Sequence, residues 1–229
     1  MKKISGLVRI LSLGLLLIPV IIQNARAAED NSDSGTMFYV NDPTGRNAVV
    51  FKSEAPLEDI VGTTSEITGY MMFDPLNPQA GGQGKFMVPV TSLDSGIPLR
   101  DEHLQGEAWL NAAAHPMIIL TIDQLKDVRE VKITDDTQTY DVIAVGNFSL
   151  HGVSKNVEVP GRITFLTESE ATSKRLPGHI LAARSEFTVI LEDYGITGPP
   201  GIVGSKVGES IDIEVRIMGS TGSEQPVME

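Results

Sequence analysis

Strict two-residue alternation of apolar and polar side chains most narrows what this chain can fold into. Near the C-terminus Ile211, Ile213, Val215 and Ile217 alternate with Asp212, Glu214 and Arg216. Val157, Val159, Gly161, Ile163 and Phe165 stand opposite Glu158, Arg162 and Thr164 in the same way, and Tyr140, Val142, Ala144, Gly146, Phe148 and Leu150 share a third face. Successive side chains of a strand point to opposite faces, so this pattern places one face on an apolar interior and the other in water, as in antiparallel sheets. Shorter runs at Ala48–Ser53, Thr64–Asp74, Gly84–Ser92, Pro116–Leu125 and His179–Glu192 read as further strands. Turn-forming clusters separate them, at Asp74–Pro78, Gly81-Gly82, Gly152 and Gly198–Gly201. About eight strands without a helical repeat predict an all-β chain, closed as an antiparallel β-barrel or stacked as a sandwich.

One segment departs from the pattern. Leu99–Asn111 reads as a short inserted helix, with Leu99, His103, Leu104 and also Trp109 and Leu110 on or near one side. Asp101 and Glu102 sit in its first turn, where the helix dipole favours negative charge. A lone helix in a β chain is expected to act as a lid or plug over an open barrel end. Trp109, the single tryptophan, is expected to anchor that helix and to line whatever space lies beneath.

The N-terminus addresses the compartment. Lys2, Lys3 and Arg9 precede an apolar run from Ile10 to Ile22, and Ala25-Arg26-Ala27 follows. These are the three parts of a secretory signal peptide, with cleavage expected after Ala27. The run falls short of the roughly 20 residues needed to cross a bilayer, so no stable membrane span is expected after cleavage, and the mature chain is placed in the periplasm or outside the cell. The expected organisation is a signal peptide at 1–27, a flexible leader at 28–36, one domain at 37–219 and a disordered tail at 220–229. The formal charge is −12. Four of the 18 basic residues and none of the 30 acidic ones fall in the removed segment, which deepens the excess of negative charge. Such a surface repels nucleic acid. The chain has no cysteine, which excludes disulfides, thiol nucleophiles and cysteine-based metal or iron–sulfur sites.

Signals for catalysis are absent. The four histidines, His103, His115, His151 and His179, show no i, i+2 or i, i+4 spacing, and three lie at element edges, so no metal is expected. No G-x-S-x-G elbow, P-loop or G-x-G-x-x-G turn occurs. The expectation is a protein that is not an enzyme and carries no cofactor.

Three groups of residues carry a family resemblance. Arg100-Asp101-Glu102-His103-Leu104 is followed by Trp109-Leu110-Asn111-Ala112 and by His115-Pro116-Met117-Ile118. Gly146–Lys155 forms a strand and turn ending in Leu150-His151-Gly152-Val153-Ser154-Lys155. Phe187–Gly195, Val207-Gly208-Glu209 and Ile211–Ile217 close the pattern. In this order they resemble the YceI-like family of polyisoprenoid-binding proteins, in register over roughly residues 38–218. The family often has a histidine just before its first V-x-F strand. The matching stretch here, Arg46-Asn47-Ala48-Val49-Val50-Phe51, has none.

The resemblance implies a lipocalin-like antiparallel barrel of about eight strands. Its interior would hold an extended apolar ligand such as a polyisoprenoid or an isoprenoid quinone, for transport or storage. Strand parity nominates Phe51, Phe86, Ile118, Leu120, Phe148, Leu150, Ile163, Phe165, Phe187, Val189, Ile211 and Ile213 as lining residues, and the helix region adds Leu104 and Trp109. Arg100, His103, His115 and His151 are the polar candidates for a head group. Two other readings stay open at the level of sequence: an enzyme or redox partner acting on an isoprenoid quinone, and a structural β-sandwich with a filled interior. The oligomeric state is not encoded in these patterns.

Overall fold

A computed structural model describes residues 35–228; the expected signal peptide and nearly all of the expected leader lie outside them. Ten strands form one antiparallel sheet: β1 Thr36–Val40, β2 Ala48–Glu54, β3 Asp59–Thr64, β4 Thr68–Phe73, β5 Gly82–Pro89, β6 Met117–Ile133, β7 Thr137–Leu150, β8 Val153–Leu166, β9 Ile180–Ile190 and β10 Ser210–Ser220. Their order is β1-β4-β5-β6-β7-β8-β9-β10-β2-β3, with β10 also meeting β1. Asp212–Arg216 of β10 pair with Lys52–Ala48 of β2, and Ser220 pairs with Tyr39 of β1. β1 and β2 are therefore the two halves of one stave, and β3 and β4, which pair with β2 and β1 respectively, are the halves of the next. The barrel closes with eight staves, so the alternation read from the sequence wraps around a single interior.

Local chemistry explains where the staves break. Between β1 and β2, the Asp42 carboxylate accepts hydrogen bonds from the Thr44 amide and hydroxyl and from the Arg46 amide, Nε and Nη2. Its side chain has no exposed surface. The Arg46 guanidinium foremost, and these donors with it, hold the Asp42 carboxyl well below the usual carboxylate range. Arg46 Nη2 also donates to the Arg175 carbonyl (2.9 Å), which ties the kink to the loop after β8. The β6–β7 hairpin reaches Ile133, well beyond the strand end expected near Leu125. Its register shifts three times, between Ile122 and Gln124, Lys126 and Arg129, and Glu130 and Lys132, which scrambles the alternation there. At the first shift a Cβ on Gly146 would lie 1.9 Å from the Thr121 carbonyl oxygen, so the close approach of the two strands requires glycine.

The helix is shorter than expected. α1 spans Pro98–Gln105 and opens with Pro98, whose fixed φ suits a first turn. Gly106 ends it in an extended conformation (φ −70°, ψ 166°), and turns lead on through Ala114. Trp109 thus sits on a turn rather than on the helix. The C-terminal stretch expected to be a disordered tail from residue 220 also differs. Ser220 completes β10 and is fully buried. The Thr221 amide donates to the His179 carbonyl (3.0 Å), and its hydroxyl accepts from the His179 amide (3.0 Å). Asn41 Nδ2 donates to the Glu224 carbonyl (3.2 Å), and Pro226 is buried. As far as Pro226 the chain lies against the barrel, held by these hydrogen bonds.

The barrel interior is not uniform. At the end holding β1 and the β6–β7 turn it is packed solid. Phe38 (0% exposed) meets Phe165 edge-on at 6.1 Å, and Phe73 (1%) lies 6.0 Å from Tyr140. The other end, under α1, is hollow.

Candidate ligand cavity

The hollow end encloses a cavity of about 740 Å³, within the roughly 300–1,000 Å³ usual for ligand pockets. Each stave contributes side chains to it, and they are almost all hydrocarbon. Val49 and Phe51 come from β2, Met71 from β4, Phe86 and Val88 from β5. Ile118, Leu120 and Ile122 of β6 face Ala144, Phe148 and Leu150 of β7. β8 adds Val159, Gly161 and Ile163, β9 adds Ala183, Phe187 and Val189, and β10 adds Ile211, Ile213, Val215 and Ile217. Phe148 packs edge-on against both Phe187 (5.6 Å) and Tyr194 (5.8 Å), which fixes the ring orientations on that wall. The void exists because inward positions at mid-height carry small side chains: Ala144, Gly161, Ala183 and Ser185.

α1 and two loops cover the open end. Ile97, Leu99, Leu104 and Trp109 come down over the cavity, joined by Ile196, Pro199 and Ile202 from the loop before β10. The cover is tied to the barrel. Arg100 Nη1 donates to Glu58 Oε1 (2.7 Å) on the β2–β3 turn, while Arg100 Nε donates to Ser95 Oγ (3.1 Å). Ser95 is held in turn by Asp101, whose carboxyl is drawn down chiefly by the Ser95 hydroxyl. The Leu57 amide donates to the Ser205 carbonyl (3.0 Å). A Cβ on Gly198, at φ +59°, would lie 2.7 Å from the Trp109 ring, so the loop lies flat against the indole. Polar and charged side chains on the cavity wall are few and sit mainly at this cover: Glu58, Ser95, Arg100, His103 and Lys206.

Placement of the nominated residues follows from this division. Phe51, Phe86, Leu104, Trp109, Ile118, Leu120, Phe148, Leu150, Ile163, Phe187, Val189, Ile211 and Ile213 all border the cavity. Phe165 does not. Parity turns it inward as expected, but it lies at the filled end against Phe38. Among the head-group candidates, Arg100 and His103 are on the cavity wall. His115 and His151 are outside it, stacked edge-on at 5.2 Å. The cause is backbone geometry: His151 takes a positive φ of 52° in the β7–β8 turn, where strand parity ends, and its Nδ1 sits 3.1 Å from the Tyr194 carbonyl. Lys206 and Glu58, on loops, were not legible as wall residues. Among the described residues no group of three or more His, Asp or Glu is placed to hold a metal ion, and no helix is long and apolar enough to cross a membrane.

Comparisons with known proteins agree with this architecture. Among curated relatives, a UPF0312 protein of Azotobacter vinelandii is 29% identical over 178 residues, 77% of this chain and 85% of its own. A UPF0312 protein of Yersinia pestis is 26% identical over 155 residues, 68% of this chain and 72% of its own. Among solved structures, Burkholderia cenocepacia BcnA superposes with a TM-score of 0.58 at 15% identity, covering 78% of this chain and 98% of BcnA. A polyisoprenoid-binding domain from Saccharophagus degradans, implicated in plant cell wall breakdown, gives 0.53 at 11% identity and covers 81% and 98%. The family model for the YceI-like domain matches residues 39–218. That match spans every stave of the barrel, its cover and its cavity, and the chain belongs to the YceI-like family.

Proposed function

We propose that this protein binds a polyisoprenoid or a similarly long, slender apolar molecule in its barrel and carries or stores it. The observation that supports this most is the cavity itself: about 740 Å³ walled almost entirely by hydrocarbon side chains, blind at one end and with most of its charged neighbours at the other. Transfer of an apolar chain into such a space gains about 25 cal/mol per Å² removed from water, and an eight-stranded barrel is just wide enough for one chain. Arg100, His103 and Lys206 would face the polar end of that molecule. The wall is almost all hydrocarbon, which supports a binding role. The N-terminal pattern ending at Ala27 supports an exported protein, and a mature N-terminus at Ala28 is the expected result of sequencing it from its host.

The test is mass spectrometry of organic extracts from purified protein, paired with Leu120→Glu. Wild type should release one apolar species in stoichiometric amount. An unpaired charge in an apolar interior costs several kcal/mol, so a folded Leu120→Glu variant should release almost none. A full complement of lipid on that variant, with its fold verified by circular dichroism, would place the ligand elsewhere.

A further inference from the structure

From β6 to β10 the barrel wall is continuous except at one place. β7 and β8 pair along their whole length, Thr137↔Leu166 to Leu150↔Val153, and β9 pairs with β10 over all of Ile180–Ile190. Between β8 and β9, however, pairing stops at Gly161↔Ser185. Residues 153–160 of β8 and 186–190 of β9 have no partner across that gap. Pro160 stands where the ladder ends. Its carbonyl points toward β9, where it accepts from the Ser185 hydroxyl (2.7 Å). Proline has no N–H to return, and a ladder cannot continue through it.

This seam opens on the cavity. Val159 on one side and Ser185, Phe187 and Val189 on the other are cavity wall, and the exposed Arg184 borders the cavity at the same level. Only the two ends of the seam are fastened. Gly161↔Ser185 closes it below. Above, Lys155 Nζ meets Asp193 Oδ1 (3.2 Å) and His151 meets the Tyr194 carbonyl. Lys155 and Asp193 are both about half exposed, where such a pair is weak. The cover over the barrel end is held more firmly, by the Arg100–Glu58 pair, the Leu57–Ser205 hydrogen bond and the Thr63–Asp94 bridge.

We propose that the β8–β9 seam is a lateral port through which the apolar ligand enters and leaves, while the α1 cover stays in place. This rests on the lipid-binding reading above. Parting two strand segments that share no hydrogen bonds breaks no ladder, whereas lifting the cover breaks several bonds at once.

The chain has no cysteine, so two engineered thiols can be cross-linked without competition. Glu158 would oppose Thr188 if the register continued, and both are exposed. In Glu158→Cys/Thr188→Cys, a short reversible bis-methanethiosulfonate spans the seam. Uptake and release of a dansyl-tagged C20 prenyl chain are followed by stopped-flow fluorescence. Cross-linking should slow both about ten-fold or more, as expected for a blocked gate, leave the equilibrium affinity unchanged, and be undone by reductant. Leu57→Cys/Ser205→Cys, bridged across the cover, should stay within about two-fold of wild type. Pro160→Val restores the missing donor, and it should slow both rates and protect amides of residues 186–190 from hydrogen exchange. Slowing by the cover bridge but not by the seam bridge would overturn the port and assign entry to the barrel end. Wild type that takes up no probe would remove the lipid reading itself, and the port with it.

Discussion

The two ends of this barrel are built from the same eight staves with the same alternation, yet one is a core and the other a cavity. Around the filled end, inward positions carry Phe38, Phe73, Tyr140, Phe165 and Leu181, all at most 8% exposed. At mid-height the same strands turn inward Ala144, Gly161, Ala183 and Ser185. Alternation decides which side chains point in, and their volumes decide whether they meet. Large rings converging from opposite walls reach the density of a protein interior. Small side chains leave the large ones above them, such as Phe148 and Phe187, against one wall with open space before them. Stability and binding are thus assigned to different heights of one barrel.

The largest expected effect follows at the filled end. Phe38 has no exposed surface and packs against Phe165. Phe38→Ala should cost about 4 kcal/mol, the lost transfer energy plus the cavity left behind, measured by urea denaturation. Any molecules still folded should bind apolar ligand as wild type does. A loss below about 1 kcal/mol would mean this end is as loosely filled as the other, and the comparison would fail.

A smaller loss is expected at the kink that lets the first stave serve the filled end through β1 and the cavity through β2. Asp42→Asn keeps the shape but removes the charge that the Arg46 guanidinium and the Thr44 donors surround. Charge-assisted hydrogen bonds contribute roughly 1.5–3 kcal/mol, and a loss of about 2 kcal/mol is expected. Because the folded-state carboxyl titrates below its unfolded value, its contribution is complete above about pH 4 and is lost as pH falls further. Wild type should therefore lose stability between about pH 4 and pH 2 more steeply than Asp42→Asn. Parallel curves would remove Asp42 from the acid response.

The same division marks what could be read from the sequence. Parity along β7, β8, β9 and β10 gave the inward set because those strands are long and keep their register. Parity carries no information on height, so it does not separate Phe165, which packs solid, from Ile163, which borders space. It also ends at turns: His151, three residues past Phe148 and next to inward Leu150, has the outward parity and takes a positive φ in the β7–β8 turn. The far half of β6 was illegible because three register shifts break its period. β1 carries little signal because Thr36–Val40 is a short run next to a polar leader, and its partner β4 is distant in sequence. Lys206 and Glu58 reach the cavity from loops, where no periodicity exists to place them. The seam was legible only in part: Pro160 sits inside a strand pattern, but that its carbonyl faces β9 rather than β7 depends on the assembled register.

The smallest expected change in stability is the most informative about the cavity. Ala183 borders the void at mid-height, paired with Ile163 on β8 and Ile217 on β10. Ala183→Leu adds three carbons where no atoms oppose them. Enlarging a side chain in a packed core typically costs about 1–3 kcal/mol through displaced neighbours. Into open space the added hydrocarbon only covers apolar wall, so the change should stay within about 0.5 kcal/mol of wild type. Val40→Phe, 2% exposed within the filled end, is the matched enlargement and should cost about 2 kcal/mol. Ligand capacity should invert this order: Ala183→Leu intrudes on the cavity and should weaken binding of a prenyl chain several-fold, whereas a folded Val40→Phe should leave it unchanged. Thermal denaturation and fluorescence titration of the two variants give four values. If both enlargements cost the same stability, the void collapses in solution and the two ends of the barrel are physically alike.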